Sequence, residues 1–160
     1  YAMVTTVRGG FTAFHGHARL DSEDPTRSTV SVTIFTDSLD TGQAQRDDHL
    51  RSPDFLDVET YPEMLFQSTS VEPTVDGRYR LSGDLTICGA TRPISIDFAL
   101  TGTSTDHLGN ELAGFEGSAV ISRADFGLTW NAVLETGGVL VGDEVTLQFD
   151  VALIRVRPAA

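Results

Sequence analysis

The feature that most constrains the fold of this chain is the alternation of apolar and polar side chains along predicted strands. At several positions of the apolar face, the residue is only glycine, alanine or serine. One predicted strand spans residues 79–88, and residues 115–121 repeat its pattern with two small residues among four inward positions. Missing bulk on an apolar inner face predicts a cavity. The inward positions of these two runs are Tyr79, Leu81, Gly83, Leu85 and Ile87, then Phe115, Gly117, Ala119 and Ile121.

Strand-like runs separated by turn signals continue along most of the chain, and windows with helical apolar spacing are almost absent. We therefore predict an all-β fold of about eight antiparallel strands, the number that closes a barrel around one small ligand. With 160 residues and 40% apolar content, residues 1–160 fit one domain. The predicted strands are residues 3–7, 11–20, 30–35, 65–71, 79–88, 94–101, 112–122 and 145–156.

Residues 43–63, called the flap below, break the β pattern. They are polar, contain Pro53 and Pro62, and show no period-two alternation, so we predict a loop with one short helix. Apolar residues at roughly helical spacing indicate that the flap lies across the sheet with one apolar underside. A long connection held only by salt bridges is the alternative. The apolar residues concerned are Phe55, Leu56, Val58 and Tyr61.

Charge and cysteine content exclude several classes of protein. A net charge of -12 argues against sequence-independent binding to nucleic acid and against docking on anionic lipid surfaces. No apolar run approaches the ~20 residues that span a bilayer, and we expect no leader in this chain, although it begins at Tyr1. Cys88 is the only cysteine in the sequence, which slightly favours the cytoplasm over export and leaves the compartment open.

Alternation also predicts which side chains line the barrel lumen. Almost none of them donates a hydrogen bond, so the tunnel would select ligands by length and width. Each buried CH₂ group contributes ~0.8 kcal/mol. The alternative is a barrel filled by its own side chains. The predicted lumen residues are Phe14, Val32, Ile34, Phe66, Leu81, Leu85, Ile87, Ile96, Phe98, Phe115, Gly117, Ala119, Ile121, Leu147 and Phe149.

Charged and aromatic residues predict a mouth for this lumen at the flap. Arg46, His49 and Arg51 are candidates to meet a phosphate or hydroxyl head group, with Asp47 orienting one guanidinium. Equally, neighbouring aspartates pair with these cations merely to fix the loop. The remaining predicted mouth residues are Phe55, Trp130 and Asn131.

Metal and catalytic signals are weak. His15 and His17 share one strand face, but it is the face opposite the apolar side, and no third ligand lies nearby in the sequence. No serine lies in a nucleophile-elbow pattern and no glycine-rich loop leads into a helix. We therefore predict no metal, no cofactor and no enzymatic activity. Arg123 and Asp125 bracket a turn and are interpreted as its staple.

Four stretches of the chain resemble the YceI-like family. They are RDDHLRSPDFLDVETYPEMLFQST at 46–69, LTICGATRPISIDF at 85–98, and ISRADFGLTWN at 121–131 followed by GGVLVGDEVTL at 137–147. The resemblance implies a lipocalin-like barrel of eight antiparallel strands whose lumen takes up a polyisoprenoid or related amphiphile. It also implies a homodimer, by analogy with relatives, and a further N-terminal strand segment, which we expect to be missing before Tyr1.

Together these features predict a protein that carries or stores a long isoprenoid lipid. The expected ligand is a polyprenyl alcohol or phosphate, or a prenylated quinone, without nucleic acid or stable membrane insertion. One alternative is an enzyme that acts on such a chain, with the residues from Arg46 to Arg51 binding the head group. Another is a stress-related module that binds fatty acids or amides.

Overall fold

One curled antiparallel sheet dominates the structure, which is a computed structural model describing residues 5–21, 23–75, 77–134 and 137–155. The α-helix of these ranges is α1, Ala44–Arg51, and short 3₁₀ turns occur at Pro25–Arg27, Thr36–Ser38 and Arg123–Phe126. The strands are β1 Gly10–Phe11, β2 Phe14–Arg19, β3 Thr29–Phe35, β4 Leu39–Asp40, β5 Glu63–Pro73, β6 Arg78–Ile87, β7 Ala90–Thr105, β8 Glu111–Ser122 and β9 Glu144–Ile154.

Seven strands form the main sheet in the order β2-β3-β5-β6-β7-β8-β9, and all neighbours are antiparallel. The sheet curls into a half-barrel, while β1 and β4 form a separate two-stranded sheet. Within the described ranges β2 and β9 pair only with β3 and β8, respectively, so both are edge strands. The prediction of an all-β, antiparallel, barrel-like fold with one short helix is confirmed.

The N-terminal strands differ from the prediction. Of the predicted strand at residues 3–7, residues 5–7 are not in a strand, and residues 3 and 4 lie outside the described ranges. The predicted strand at residues 11–20 is divided into β1 and β2, because β1 pairs with β4 whereas β2 pairs with β3. The main sheet therefore contains seven strands instead of eight.

A two-residue turn joins β6 to β7. Cys88 and Gly89 have φ angles of 51° and 76°, as a type I′ hairpin requires, and Ile87 pairs directly with Ala90. Strand β7 therefore begins at Ala90, earlier than predicted, and Pro93 lies inside it. Pairing of β7 with β8 begins only at Asp97, so Pro93 lies where one edge of β7 is free and a missing N–H is tolerated.

The hydrophobic core lies on the inward side of the sheet, called the concave face below. Along β6 the inward residues from Leu81 to Ile87 are buried, whereas Arg80 and Asp84 on the other face are exposed. This burial pattern agrees with the alternation in the sequence. The buried core residues are Met64, Phe66, Val71, Leu81, Leu85, Ile87, Ile96, Ala119, Ile121 and Phe126.

Glycines on the concave face do not leave gaps, contrary to the expectation from the sequence. A Cβ at Gly83 would lie 2.5 Å from Cζ of Phe66, so the Phe66 ring occupies the space beside this glycine. A Cβ at Gly117 would lie 3.0 Å from Cβ of Phe98 and 3.1 Å from Cγ2 of Ile96. These glycines admit the bulk of neighbouring side chains instead of creating a cavity.

Candidate functional site

The predicted lumen residues share the concave face. Cross-strand pairing places Phe14 opposite Ile34 and Phe66 opposite Leu85, all on this face. Phe14 is 53% exposed because β2 is an edge strand. Whether these residues contact a ligand stays a prediction. Phe66, Leu81, Leu85, Ile87, Ile96, Ala119 and Ile121 are buried, whereas Val32, Ile34, Phe98, Phe115, Gly117, Leu147 and Phe149 are half-buried.

Burial is uneven along the concave face. At the end where β6 and β8 finish, called the flap end, Ile87 and Ile121 are buried, whereas Phe14 and Val145 on the two edge strands are 53% and 37% exposed. At the opposite end, where β8 begins and β9 finishes, Phe115 is half-buried and Leu100 is 47% exposed. We call this corner, formed by β7, β8 and β9 with Tyr79 of β6, the open end. Sequence alternation identified the face but not this gradient, which depends on how the loops pack.

Three of the predicted mouth residues meet in one cluster, called the aromatic cluster below. The His49 ring lies edge-on to Trp130 with centroids 4.5 Å apart and to Phe55 at 5.0 Å, and Phe55 lies 5.4 Å from Trp130. Nε2 of His49 lies 2.9 Å from Oδ2 of Asp54. The cluster joins the flap to the loop that follows β8.

The predicted head-group cations bind the protein's own loops. Nε of Arg46 donates to Oγ1 of Thr41, and Nη2 donates to the Thr41 carbonyl, each at 2.8 Å. Nη2 of Arg51 donates to the Leu39 carbonyl at 2.5 Å. The buried carboxylate of Asp47 accepts the Thr41 N–H at 3.0 Å, so it orients this threonine and not, as predicted, a guanidinium. These contacts fix the start of the flap, and a role in ligand binding stays a prediction.

Arg123 is buried and holds several loop segments together. In the sequence, the only indication of a structural role was its position beside a turn. Its guanidinium donates to the carbonyls of Gly142 (2.9 Å), Leu128 (2.9 Å) and Trp130 (3.0 Å). The same guanidinium lies over Phe55, with its carbon 5.8 Å from the ring centroid. One side chain thus holds together the segments around residues 128–130 and 142 and supports the flap.

Asn131 and Asp143 complete this anchor. The Asn131 amide donates to the carbonyl of Val141 at 2.6 Å and accepts its N–H at 2.9 Å. Asp143, not the predicted Asp125, accepts hydrogen bonds at the turn, from the Ser122 hydroxyl and the Ala124 N–H. These two bonds, with the nearby charge of Arg123, hold the pKa of Asp143 below its ordinary value.

Cys88, in the turn between β6 and β7, contacts the flap through a hydrogen bond. Its thiol donates to the carbonyl of Leu56, with Sγ 3.2 Å from the oxygen. Burial, and secondarily the charge of Asp57, raises the pKa of this thiol. The thiol is therefore less ionised than a free cysteine at the same pH, which suits a structural contact and disfavours nucleophilic chemistry.

Histidine and acidic side chains do not form a metal-binding cluster in the described part of the chain. Within the described ranges, no three side chains of histidine, cysteine, aspartate or glutamate converge as a metal site would require. His15 packs near Phe35, with ring centroids 5.6 Å apart, and lies on the face opposite Phe14. None of the helices in the described part of the chain is long and apolar enough to cross a membrane.

Comparisons with known proteins agree with this architecture. The YceI-like domain family matches residues 1–153. A UPF0312 protein of Serratia proteamaculans is 43% identical over 121 residues, and one of Pectobacterium atrosepticum is 41% identical over 121 residues. Both alignments cover 76% of this chain and 62% of the relative, so the chain spans less than two thirds of the length of these relatives.

Solved structures show the same fold. The Campylobacter jejuni YCEI protein superposes with a TM-score of 0.84 at 26% identity, covering 96% of this chain and 88% of the other. Burkholderia cenocepacia BcnA superposes with a TM-score of 0.82 at 24% identity, covering 95% and 91%. Because the family match extends over almost the entire sequence and the fold agrees with it, this chain belongs to the YceI-like family.

Proposed function

We propose that this protein carries or stores an isoprenoid lipid by holding its hydrocarbon chain against the concave face. The expected ligand is a polyprenyl alcohol or phosphate, or a prenylated quinone. The observation that carries the proposal is the apolar concave face, which extends across the sheet from Phe66 on β5 to Phe149 on β9. Part of this face is not fully buried by the protein itself. The YceI-like family is known as a polyisoprenoid-binding fold, which supports this ligand class.

Half-buried apolar side chains supply the driving force. Burial of apolar surface contributes about 25 cal/mol per Å², and each CH₂ group of the ligand ~0.8 kcal/mol. Phe98, Phe115, Leu147 and Phe149 retain surface that a hydrocarbon chain would cover. The association cost and the ordering of the ligand are deducted from this gain, so a chain of several isoprene units is favoured over a short one.

Binding is favoured over catalysis on this chain. The family is a binding-protein fold and not an enzyme family. The polar side chains of the flap already have structural partners, since Arg46 binds Thr41, Arg51 binds Leu39 and His49 contacts Asp54.

Two tryptophan substitutions at neighbouring positions of β9 test the proposal. Val151 lies on the concave face and is half-buried, whereas Asp150 lies on the opposite face and is exposed. Uptake of geranylgeraniol, a prenylated quinone and oleate is measured by native mass spectrometry and by titration. We expect Val151→Trp to weaken prenyl-lipid binding by about tenfold or more, equivalent to ~1.4 kcal/mol, and Asp150→Trp to leave it unchanged.

Each outcome decides between functions. Equal affinity of the two folded variants would show that the ligand does not lie on the concave face. Uptake of oleate in preference to both prenyl lipids would favour the fatty-acid alternative. A protein that takes up none of the three would contradict lipid carriage.

A further inference from the structure

The two ends of the concave face differ in what covers them. In an antiparallel sheet the start of β5 and the ends of β6 and β8 lie at the same end. The flap leads into β5 and the 3₁₀ turn Arg123–Phe126 follows β8, so both loops cover the flap end. Phe126 is only 2% exposed, and Leu56 and Leu128 pack against the hydrophobic core to which it belongs.

A cleft at the flap end does not provide an apolar passage. It has a volume of about 330 Å³ and lies where the 3₁₀ turn Arg123–Phe126 meets β7. Its lining includes Arg92, Ser122 and Asp125, which would be desolvated by a passing hydrocarbon chain. The aromatic cluster and the Arg123 anchor further hold the flap in place.

The open end has a different chemistry. The rings of Tyr79 and Phe98 stack with centroids 5.4 Å apart, and Phe98 lies 6.0 Å from Phe115. Tyr79 combines an apolar ring with a hydroxyl, a pairing suited to the boundary between a hydrocarbon chain and water. The turn Pro25–Arg27 lies against β5, where Val71 is buried, and so leaves the corner of β7, β8 and β9 less covered.

We infer that the lipid binds with one polarity, with its hydrocarbon tail toward the flap end and its polar head group at the open end beside Tyr79. This inference rests on the proposed function and reverses the position of the head group predicted from the sequence. The inward residues from Tyr79 to Ile87 span about 26 Å at about 3.3 Å per residue. Leu81, Leu85 and Ile87 on this face are buried by the protein itself, so the tail follows it only where the neighbouring side chains move apart. A head group that offers or accepts one hydrogen bond, such as an alcohol or a quinone carbonyl, suits the tyrosine hydroxyl.

Photo-crosslinking of the unmodified protein tests the polarity directly. Two probes share one prenyl alcohol chain, and the diazirine lies next to the hydroxyl in one probe and at the far end of the chain in the other. We expect the head probe to label peptides that contain Tyr79, Phe98 or Phe115. We expect the tail probe to label the flap around Leu56 and the turn around Phe126.

The labelling pattern separates this inference from the proposed function. The reverse pattern, or equal labelling of both ends by both probes, would overturn the polarity while leaving lipid binding intact. Labelling confined to the convex face, or no specific labelling that excess geranylgeraniol competes away, would refute the binding site and the polarity together.

Removal of single hydroxyl groups provides a second readout. Tyr79 lies at the open end, and Tyr61 lies at the flap end over Gly89, so Tyr79→Phe and Tyr61→Phe are a matched pair. We expect Tyr79→Phe to lower affinity for geranylgeraniol by about threefold to tenfold, the value of one hydrogen bond, and Tyr61→Phe to have no effect. An affinity loss confined to Tyr61→Phe would overturn the assignment of the head group.

Discussion

Arg123 places a charged guanidinium inside the protein among backbone carbonyls. Its donors reach the carbonyls of Gly142, Leu128 and Trp130, and a longer contact of 3.3 Å reaches Val141. Hydrogen bonds from charged donors are stronger than those between neutral groups, and each carbonyl left without a donor in the interior is costly. The hydrogen bonds to these carbonyls therefore offset the free-energy cost of removing the guanidinium from water.

Arg123→Ala would remove all of these hydrogen bonds at once. We expect it to lower the free energy of unfolding by about 3 kcal/mol, because the variant leaves several half-buried carbonyls without donors. Arg155→Ala is the control, since this side chain is 69% exposed and forms a surface ion pair with Glu111 at 2.8 Å. It should change stability by about 0–1 kcal/mol. Denaturant unfolding monitored by circular dichroism measures both, and similar small losses would contradict the role of Arg123 as an anchor.

At the scale of strands, Gly83 and Phe66 show how β5 and β6 fit together. Phe66 pairs with Leu85, and Gly83 pairs with Ser68, so the ring reaches diagonally across to the glycine. An aromatic ring over a glycine shields backbone that would otherwise be exposed. The small residue is therefore part of the packing of the core.

We expect Gly83→Ala to lower the free energy of unfolding by about 1–3 kcal/mol, because the added methyl group would overlap the Phe66 ring and the Gln67 carbonyl. Gly102→Ala is the matched control, since no atom lies within 4 Å of its Cβ position. The stability lost through Gly83→Ala should be smaller in a protein that already carries Phe66→Leu, because the smaller side chain relieves the overlap with the ring, although not that with the Gln67 carbonyl. Equal stability of Gly83→Ala and Gly102→Ala would show that the ring does not occupy this space.

Periodicity predicted the strands well but left their partners and surroundings open. Strand β3 and the inward face of β6 follow directly from alternation, because side chains on a strand change face at every residue. Alternation does not say that the Phe66 ring fills the space at Gly83, since this depends on packing between strands. Likewise, the sequence shows the charged residues Arg46 and Arg51 of the flap. It does not show that they bind Thr41 and Leu39, because these contacts depend on how the chain folds back.

At the scale of the whole molecule, the concave face of β7 and β8 is better covered at the flap end than at the open end. The order of the strands places the flap and the turn after β8 at the same end, so a single end receives most of the cover. Regions with few buried contacts open more readily than the core, so we expect the open end to open more often than the flap end. A ligand that binds there only in the native state stabilises it by RT ln(1 + L/Kd), where L is the concentration of free ligand.

Hydrogen exchange followed by mass spectrometry checks this asymmetry. Without lipid, we expect amides around Leu85 and Ile121 to exchange more slowly than those of residues 98–105 and 111–115, because the flap end is better buried. With geranylgeraniol, the gain in protection should be largest at the open end, where the half-buried residues acquire cover. The Val151→Trp protein is the control and should show little gain under the same conditions. A gain confined to the flap end, or one of the same size in the control, would contradict binding along the open part of the concave face.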